Sequence, residues 1–189
     1  LLERAGDGAE RTAAMADLKL GLERSIHVVR QLLTLARQEP GASTPPVASV
    51  ALNDLLHQSV TASANSAAAR NIDLGVAASD PAACVTGNAE ALRTLLDNLV
   101  GNAVRYTPAG GRIDVSCGSA DGRAWLEVTD NGPGIPAAER ERVFDRFYRR
   151  SEQDAAGSGL GLAIVRAIAD KHRATIQLTD PPGGGLRVR

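Results

Sequence analysis

The sequence predicts an α/β (α+β) fold: a mixed β-sheet with three helices on one face, preceded by a long bundle helix. Three observations predict it. From Val47 onward helical and strand periodicities interleave, and two of the strand patterns meet at Asp121-Gly122, a hairpin turn pair. Before Pro40 the apolar residues of a long helical pattern recur at heptad spacing. Between the strand pattern ending at Val128 and the helical pattern opening at Leu160 lies a long, glycine-punctuated stretch poor in apolar residues. Structureless segments of that size are uncommon in compact domains and usually act as lids or binding loops.

Bulk properties bound the reading. A chain of 189 residues suits one ordinary domain plus a helical appendage. Lys plus Arg total 21 against 22 for Asp plus Glu, so nothing predicts nucleic-acid binding or a polybasic membrane surface. Cys84 and Cys117 have no metal-ligand spacing and are expected to be reduced, in a cytosolic compartment. No apolar run long enough for a membrane span and no signal peptide occurs within these residues. Leu1-Leu2-Glu3-Arg4 reads as the tail of a helix already under way, and Leu186 to Arg189 as a strand cut short, so a fragment is expected.

In order, Gly6-Asp7-Gly8 breaks the opening and a helix is predicted over 9–38. Met15, Leu22, Val29 and Ala36 form one apolar row, Leu18 and Leu32 a second, with Ile26 and Leu33 beside them. Such a stripe needs a neighbouring helix or a second chain to cover it. Residues 1–40 are thus expected to belong to a helical dimerisation region, 41–46 (GASTPP) to be a linker, and 47–189 to form the second domain. There, strands are predicted over 47–52, 72–77, 84–86, 112–116, 123–129, 175–178 and 186–188. Helices are predicted over 54–70, capped by Asn53, over 88–106, capped by Asn88, and from Leu160 to Lys171. Trp125 and Met15 are expected in the core.

The chemistry concentrates between Asp130 and Val165, which reads DNGPGIP, then RVFDRFYRR, then GSGLGLAIV. Glycines sit at both hinges, and the second set opens a helix, where backbone N–H groups and the helix dipole can receive a phosphate. A Walker loop is absent, and Gly157-Ser158-Gly159-Leu160-Gly161 lacks the spacing and the preceding strand of a dinucleotide fingerprint. On the helix 88–106, Leu92, Leu95, Leu96, Leu99, Ala103 and Val104 make a core face. Asn98, Asn102, Arg105 and Tyr106 share another. Asparagine is a poor helix-interior residue. Two of them one turn apart suit either an exposed polar face or amide oxygens meeting a phosphate-bound cation, for which magnesium is the oxygen-preferring choice.

LLDNLVGNAVRYTP (95–108), DNGPGIP (130–136), VFDRFYR (143–149) and GSGLGLAIV (157–165) resemble, in order and at plausible spacing, the N, G1, F and G2 boxes of sensor histidine kinases. The resemblance covers 47–189 as the catalytic ATP-binding domain of the GHKL (Bergerat) type, and makes 9–38 similar to the second helix of the dimerisation and phosphoacceptor hairpin. It implies a two-component system in a bacterium, with ATP and Mg2+ as cofactors. Asn102 would bind the magnesium, with Asn98 beside it; Arg105 would contact phosphate and Tyr106 pack near the nucleotide. Asp130 would accept from the exocyclic amine of adenine, Gly132 and Gly134 would let backbone approach the base, and Ile135 would supply apolar wall. Phe144 and Phe147 would anchor the lid, and Arg149 would reach the γ-phosphate. Gly157, Gly159 and Gly161 would let the lid fold over the phosphates, with Leu160 and Leu162 at the helix start.

The resemblance further implies phosphoryl transfer to a histidine, in which positioning and charge neutralisation do most of the catalysis. Gyrase-like ATPases and Hsp90-type chaperones of the same superfamily carry a water-activating Glu one turn before the magnesium Asn. Here that position is Asn98, which cannot act as a base, so transfer is favoured over hydrolysis. The family's phosphoacceptor box is absent. His27, His57 and His172 lie outside any such motif and are read as surface or structural residues. The acceptor is therefore expected upstream of Leu1, and the chain alone should bind ATP without autophosphorylating. Expected partners are a response regulator and, in the full-length protein, a second copy through the helical region, with no nucleic acid. A membrane anchor is expected outside these residues, making this the cytoplasmic portion of an inner-membrane protein. The alternative is a non-catalytic or anti-sigma-type nucleotide-binding module. Arg140, Arg142, Arg146 and Arg150 crowd the lid and are read mainly as a solvated face.

Overall fold

The computed structural model describes residues 8–38, 47–149 and 158–189. The expected linker 41–46, Arg150 and Gly157 fall outside the described residues, as does the side chain of His27. Helix α1 spans Gly8–Gln38. Then follow β1 (Ala48–Ala51), α2 (Leu52–Ala68), β2 (Asp73–Ser79), β3 (Cys84–Gly87), α3 (Ala89–Tyr106), β4 (Arg112–Ala120), β5 (Arg123–Asp130), α4 (Gly161–Lys171), β6 (Leu178–Thr179) and β7 (Leu186–Val188). Two short 3-10 turns, Ala137–Glu139 and Arg142–Phe144, lie between β5 and α4.

The five-stranded sheet runs β2-β4-β5-β7-β6, with β2 and β4 parallel and the other pairs antiparallel; β1 and β3 form a separate antiparallel pair. The mixed sheet is as predicted. Asp121 (φ 52°) and Gly122 (φ 72°) make the β4–β5 hairpin turn, both central residues in the left-handed region that a tight hairpin requires. Leu56, Leu96, Val100, Ile113 and Val115 are wholly buried in the core that the sheet shares with α2 and α3. Alternation along β5 puts Ala124, Leu126 and Val128 on this core face, and by the same period Asp130 follows them inward. Trp125 takes the opposite face. It is only half-buried, lying over Gly118 with the Arg189 guanidinium 4.4 Å from its ring centre, so it is not the core residue expected.

Helix α3 begins where the sequence places it, because Asn88 is extended (φ −91°, ψ 115°) and its Oδ1 accepts from the Ala91 N–H at 2.7 Å. Its other end is closed by α2: the Arg70 guanidinium donates to the carbonyls of Val104, Arg105 (2.6 Å) and Thr107 (3.2 Å). A cation there satisfies orphan carbonyls and meets the negative end of the helix dipole. Arg70→Met is expected to lower the melting temperature by about 2–4 °C, the shift that about 1 kcal/mol produces in a domain of this size. An unchanged melting curve would show that water caps α3 equally well.

Helix α2 departs from expectation. It starts at Leu52, and Asn53 lies inside its first turn with Oδ1 buried and unpartnered rather than acting as cap. The Leu52 N–H is instead bonded to the Ala83 carbonyl at 2.9 Å, a tertiary contact that buries Leu52, Leu55 and Leu56 together. On α1 the predicted rows stay bare: Met15, Leu22 and Val29 are 57%, 57% and 53% exposed, so Met15 is not core within this chain. The helix seats on α4 through a different position, Leu35, which packs with Ala91, Leu160, Ile164 and Ile168.

Candidate functional site

A cleft of about 770 Å³ opens between α3 and the end of β5, walled by Leu99, Ala103, Val128, Ile135, Val143, Leu186 and Val188, with Asp130 among them. Asp130 is 8% exposed. Its Oδ1 accepts from the Gly132 N–H at 2.8 Å, and the Leu186 backbone supplies a second hydrogen bond. Burial pushes its carboxyl above the ordinary carboxylate range, and the two backbone hydrogen bonds pull it only partly back. The result is a desolvated acceptor facing an apolar slot. Such a group selects a ligand with a matching neutral donor.

Two glycine loops interlock around this carboxylate. Gly134 (φ 66°) packs so tightly that a Cβ would stand 2.6 Å from the Gly185 carbonyl oxygen, and a Cβ on Gly185 (φ 108°) would collide with the Asp130 carbonyl. A Cβ on Gly132 would lie 2.9 Å from Asp130 Oδ1 and 3.1 Å from the Tyr106 carbonyl, so backbone approaches the site closely there, as expected. Sequence reading missed the second loop. Gly183-Gly184-Gly185 was its only signal, and the contact partner is remote in sequence.

Past Asn102 and Tyr106 the slot continues into a polar cavity of about 680 Å³, lined by Asn98, Arg105, Gly159, Gly161, Leu162, Asp97, Ser158 and Gln31. Here the start of α4 meets α3, and a Cβ on Gly161 would come within 3.2 Å of Asn98 Oδ1 and 3.4 Å of the Asn102 amide. The start of α4 thus borders the cavity beside the two asparagines, and a helix N-terminus there is suited to an anion. Asn98 Nδ2 donates to the Thr94 carbonyl at 2.7 Å, and its Oδ1 accepts from Gln31 Nε2 at 3.4 Å. Among the described residues the Asn102 amide has no hydrogen-bond partner. No group of three or more His, Cys, Asp or Glu side chains converges there or elsewhere in the described residues. One amide oxygen beside an anion cavity fits a hard cation that takes few protein ligands and completes its shell with phosphate and water, as magnesium does.

The lid residues divide. Val143 is buried and, with Tyr148 and Arg149, lines the slot, while Arg142 lies 5.0 Å over the Tyr148 ring. Phe144 is half-buried under Arg166 at 4.7 Å. Phe147, expected as an anchor, is 60% exposed; its backbone does the anchoring, with φ 64° and an N–H donated to the Gly159 carbonyl at 2.9 Å. Leu160, expected beside the nucleotide, is wholly buried in the α1–α4 cluster, because the chain turns inward to start the helix. Arg140 is no solvated side chain. It donates to the Ile135 and Leu178 carbonyls at 3.0 and 3.3 Å and pairs with Asp180 at 2.5 Å, clamping the lid stem to the sheet edge. His172 is structural: Nε2 accepts from the Asn88 N–H at 3.1 Å, and Nδ1 lies 2.8 Å from the Ile168 carbonyl. His57 is exposed.

Residues 87–189 match the profile of the family described as "Histidine kinase-, DNA gyrase B-, and HSP90-like ATPase". The chain belongs to this family, on its sensor histidine kinase branch. Among curated relatives, the sensor protein QseC of Escherichia coli (strain K12) is 37% identical over 183 residues, covering 97% of this chain and 40% of the relative. The sensor protein kinase PmrB of Pseudomonas aeruginosa is 34% identical over 188 residues, 98% of this chain and 39% of the relative. The chain thus spans about two-fifths of the length of these sensor kinases. Among solved structures, the cytoplasmic segment of histidine kinase QseC superposes with TM-score 0.61 at 30% identity, over 88% of this chain and 90% of that one. The mycobacterial sensor histidine kinase MprB gives 0.65 at 33% identity, over 76% and 94%. Full-length ShkA in complex with AMPPNP gives 0.79 at 28% identity, over 99% and 39%. The sandwich of mixed sheet and helices is that of the GHKL catalytic domain of sensor histidine kinases.

Proposed function

We propose that this chain binds ATP with the adenine against Asp130 and the phosphates in the polar cavity. It would pass the γ-phosphate to a histidine outside these residues, for relay to an aspartate of a response regulator. The observation that carries the reading is Asp130, an 8%-exposed carboxylate whose partners are backbone N–H groups, at the end of an apolar slot continuous with an anion-suited cavity. The exocyclic amine of adenine offers the donor such an acceptor needs; guanine presents a carbonyl there. Asn102 would hold magnesium, which when bound neutralises phosphate charge. Arg105 and Arg149 would add positive charge from the two sides, and Tyr106 would pack at the junction of slot and cavity. Asn98 has no basic group, which favours transfer over hydrolysis. Pairing with a second copy through the helical region, a membrane anchor elsewhere in the protein and a cytoplasmic site of action belong to the same proposal. Among the described residues no helix is long and apolar enough to cross a membrane.

Calorimetric titration with a non-hydrolysable ATP analogue, with and without magnesium and beside the GTP analogue, tests this. Adenine-selective, magnesium-assisted binding is expected, and Asn102→Ala is expected to remove most of the magnesium gain, about tenfold or more in Kd. A folded sample that binds neither analogue overturns the reading.

A further inference from the structure

Among the described residues, helix α1 reaches the polar cavity through Gln31, which lines it together with Asn98 and Ser158. Its two amide atoms serve different walls. Oε1 accepts from Ser158 Oγ at 2.5 Å, while Nε2 donates to Asn98 Oδ1 at 3.4 Å. Ser158 Oγ in turn accepts from the Leu160 N–H at 3.1 Å. A hydroxyl has one hydrogen; with that hydrogen given to Gln31, its lone pairs are left for Leu160. The pair of bonds closes the turn in which Gly159 (φ 70°) reverses the chain, and so sets the direction of the N–H groups that open α4. Leu35, one turn further along α1 on the same face, is 4% exposed against Leu160, Ile164 and Ile168. Apolar packing thus holds Gln31 within reach.

We infer that Gln31 is a positioning residue for the phosphate end of the nucleotide site. It ties α1 to the Ser158–Leu160 turn and to Asn98, holding the anion-receiving start of α4 against α3. The affinity of the domain for phosphate groups therefore depends on a side chain that lies outside the matched region, residues 87–189. This rests on the nucleotide reading above and adds a residue to it.

The whole chain, as parent, Gln31→Met, Ser158→Ala and the double variant, is titrated with a non-hydrolysable ATP analogue and separately with adenosine. Methionine keeps the length of the side chain and removes only its amide. The ATP-analogue Kd is expected to rise about three- to tenfold in Gln31→Met while the adenosine Kd stays unchanged, the loss of one or two hydrogen bonds that act on the phosphates alone. Because the Gln31–Ser158 bond is shared by the two residues, the double variant should lose less than the sum of the two single losses. An ATP-analogue Kd equal to the parent's overturns the inference, as do additive losses or an equal loss of adenosine affinity. A parent that fails to bind the ATP analogue overturns the nucleotide reading itself, and the inference with it.

Discussion

Asp130→Asn is expected to weaken binding of an ATP analogue by about 100-fold or more, the cost of setting donor against donor in a desolvated site. Asn is nearly isosteric with Asp but carries an NH2 on one side. Turned to keep accepting from the Gly132 N–H, it presents that NH2 elsewhere, toward the Leu186 N–H or toward the adenine amine. Neither arrangement restores what the carboxylate provides. Titration of the variant beside the parent measures the loss, and equal affinities would mean that Asp130 does not contact the base.

The same substitution has a stability signature of definite sign. Burial raises the Asp130 carboxyl in the folded chain above its unfolded value, so the folded state holds this proton more tightly. Stability from that linkage is present below the ordinary carboxylate range and is lost as pH rises through the raised value. Asparagine cannot ionise and escapes the loss. The melting temperature of Asp130→Asn relative to the parent should therefore be higher near neutral pH than below the ordinary carboxylate range, where both side chains are uncharged. A relative melting temperature that does not change with pH would show that the carboxylate is ionised without cost in the folded chain.

Gly159→Ala is expected to weaken binding of the ATP analogue about 10- to 100-fold, the range that about 1–3 kcal/mol of local strain produces. Two effects add at this position. The residue has φ 70°, which a side chain resists, and its Cβ would stand 2.7 and 2.8 Å from the Phe147 carbonyl carbon and Cα. Phe147 itself has φ 64° and donates its N–H to the Gly159 carbonyl. The lid stem is thus clasped to the start of α4 backbone against backbone, where neither side can yield cheaply. Since Phe147 and Arg149 are exposed, the melting temperature should change little. Retained affinity in the variant would mean that the clasp opens before nucleotide binds.

Where local rules governed, the sequence was readable. Helix α3, its Asn88 cap and the shared face of Asn102, Arg105 and Tyr106 follow from 3.6-residue spacing and capping chemistry. Asp130 is reached through the DNGPGIP resemblance, and the alternation of β5 accounts for its inward direction. The misses share one cause, contacts between residues far apart in the chain. Asn53 lost the start of α2 to Leu52, because a carbonyl from Ala83 and a place in the core outweigh a side-chain cap. Gly185 could not be matched to Gly134 from sequence, since only the pairing of β5 with β7 brings their loops together. Leu160 and Phe147 exchange their expected environments because the direction of a turn with φ 70° is a tertiary outcome. On α1 the contacts made with α4 and with the Ser158 turn use Leu35 and Gln31, which stand outside the heptad rows.

The pairing of β5 with β7 also bears on how the protein is made. Asp130 is synthesised well before Leu186 and Val188, which complete the wall beside it and supply one of its two backbone donors. On the ribosome the chain emerges N-terminal part first. Until β7 has emerged, the carboxylate lies in an unfinished slot, one wall open to water. On the proposed reading, ATP, which stabilises only what it can bind, would not assist the folding of such an intermediate. Ligand-assisted folding would then be reserved for chains translated through Val188.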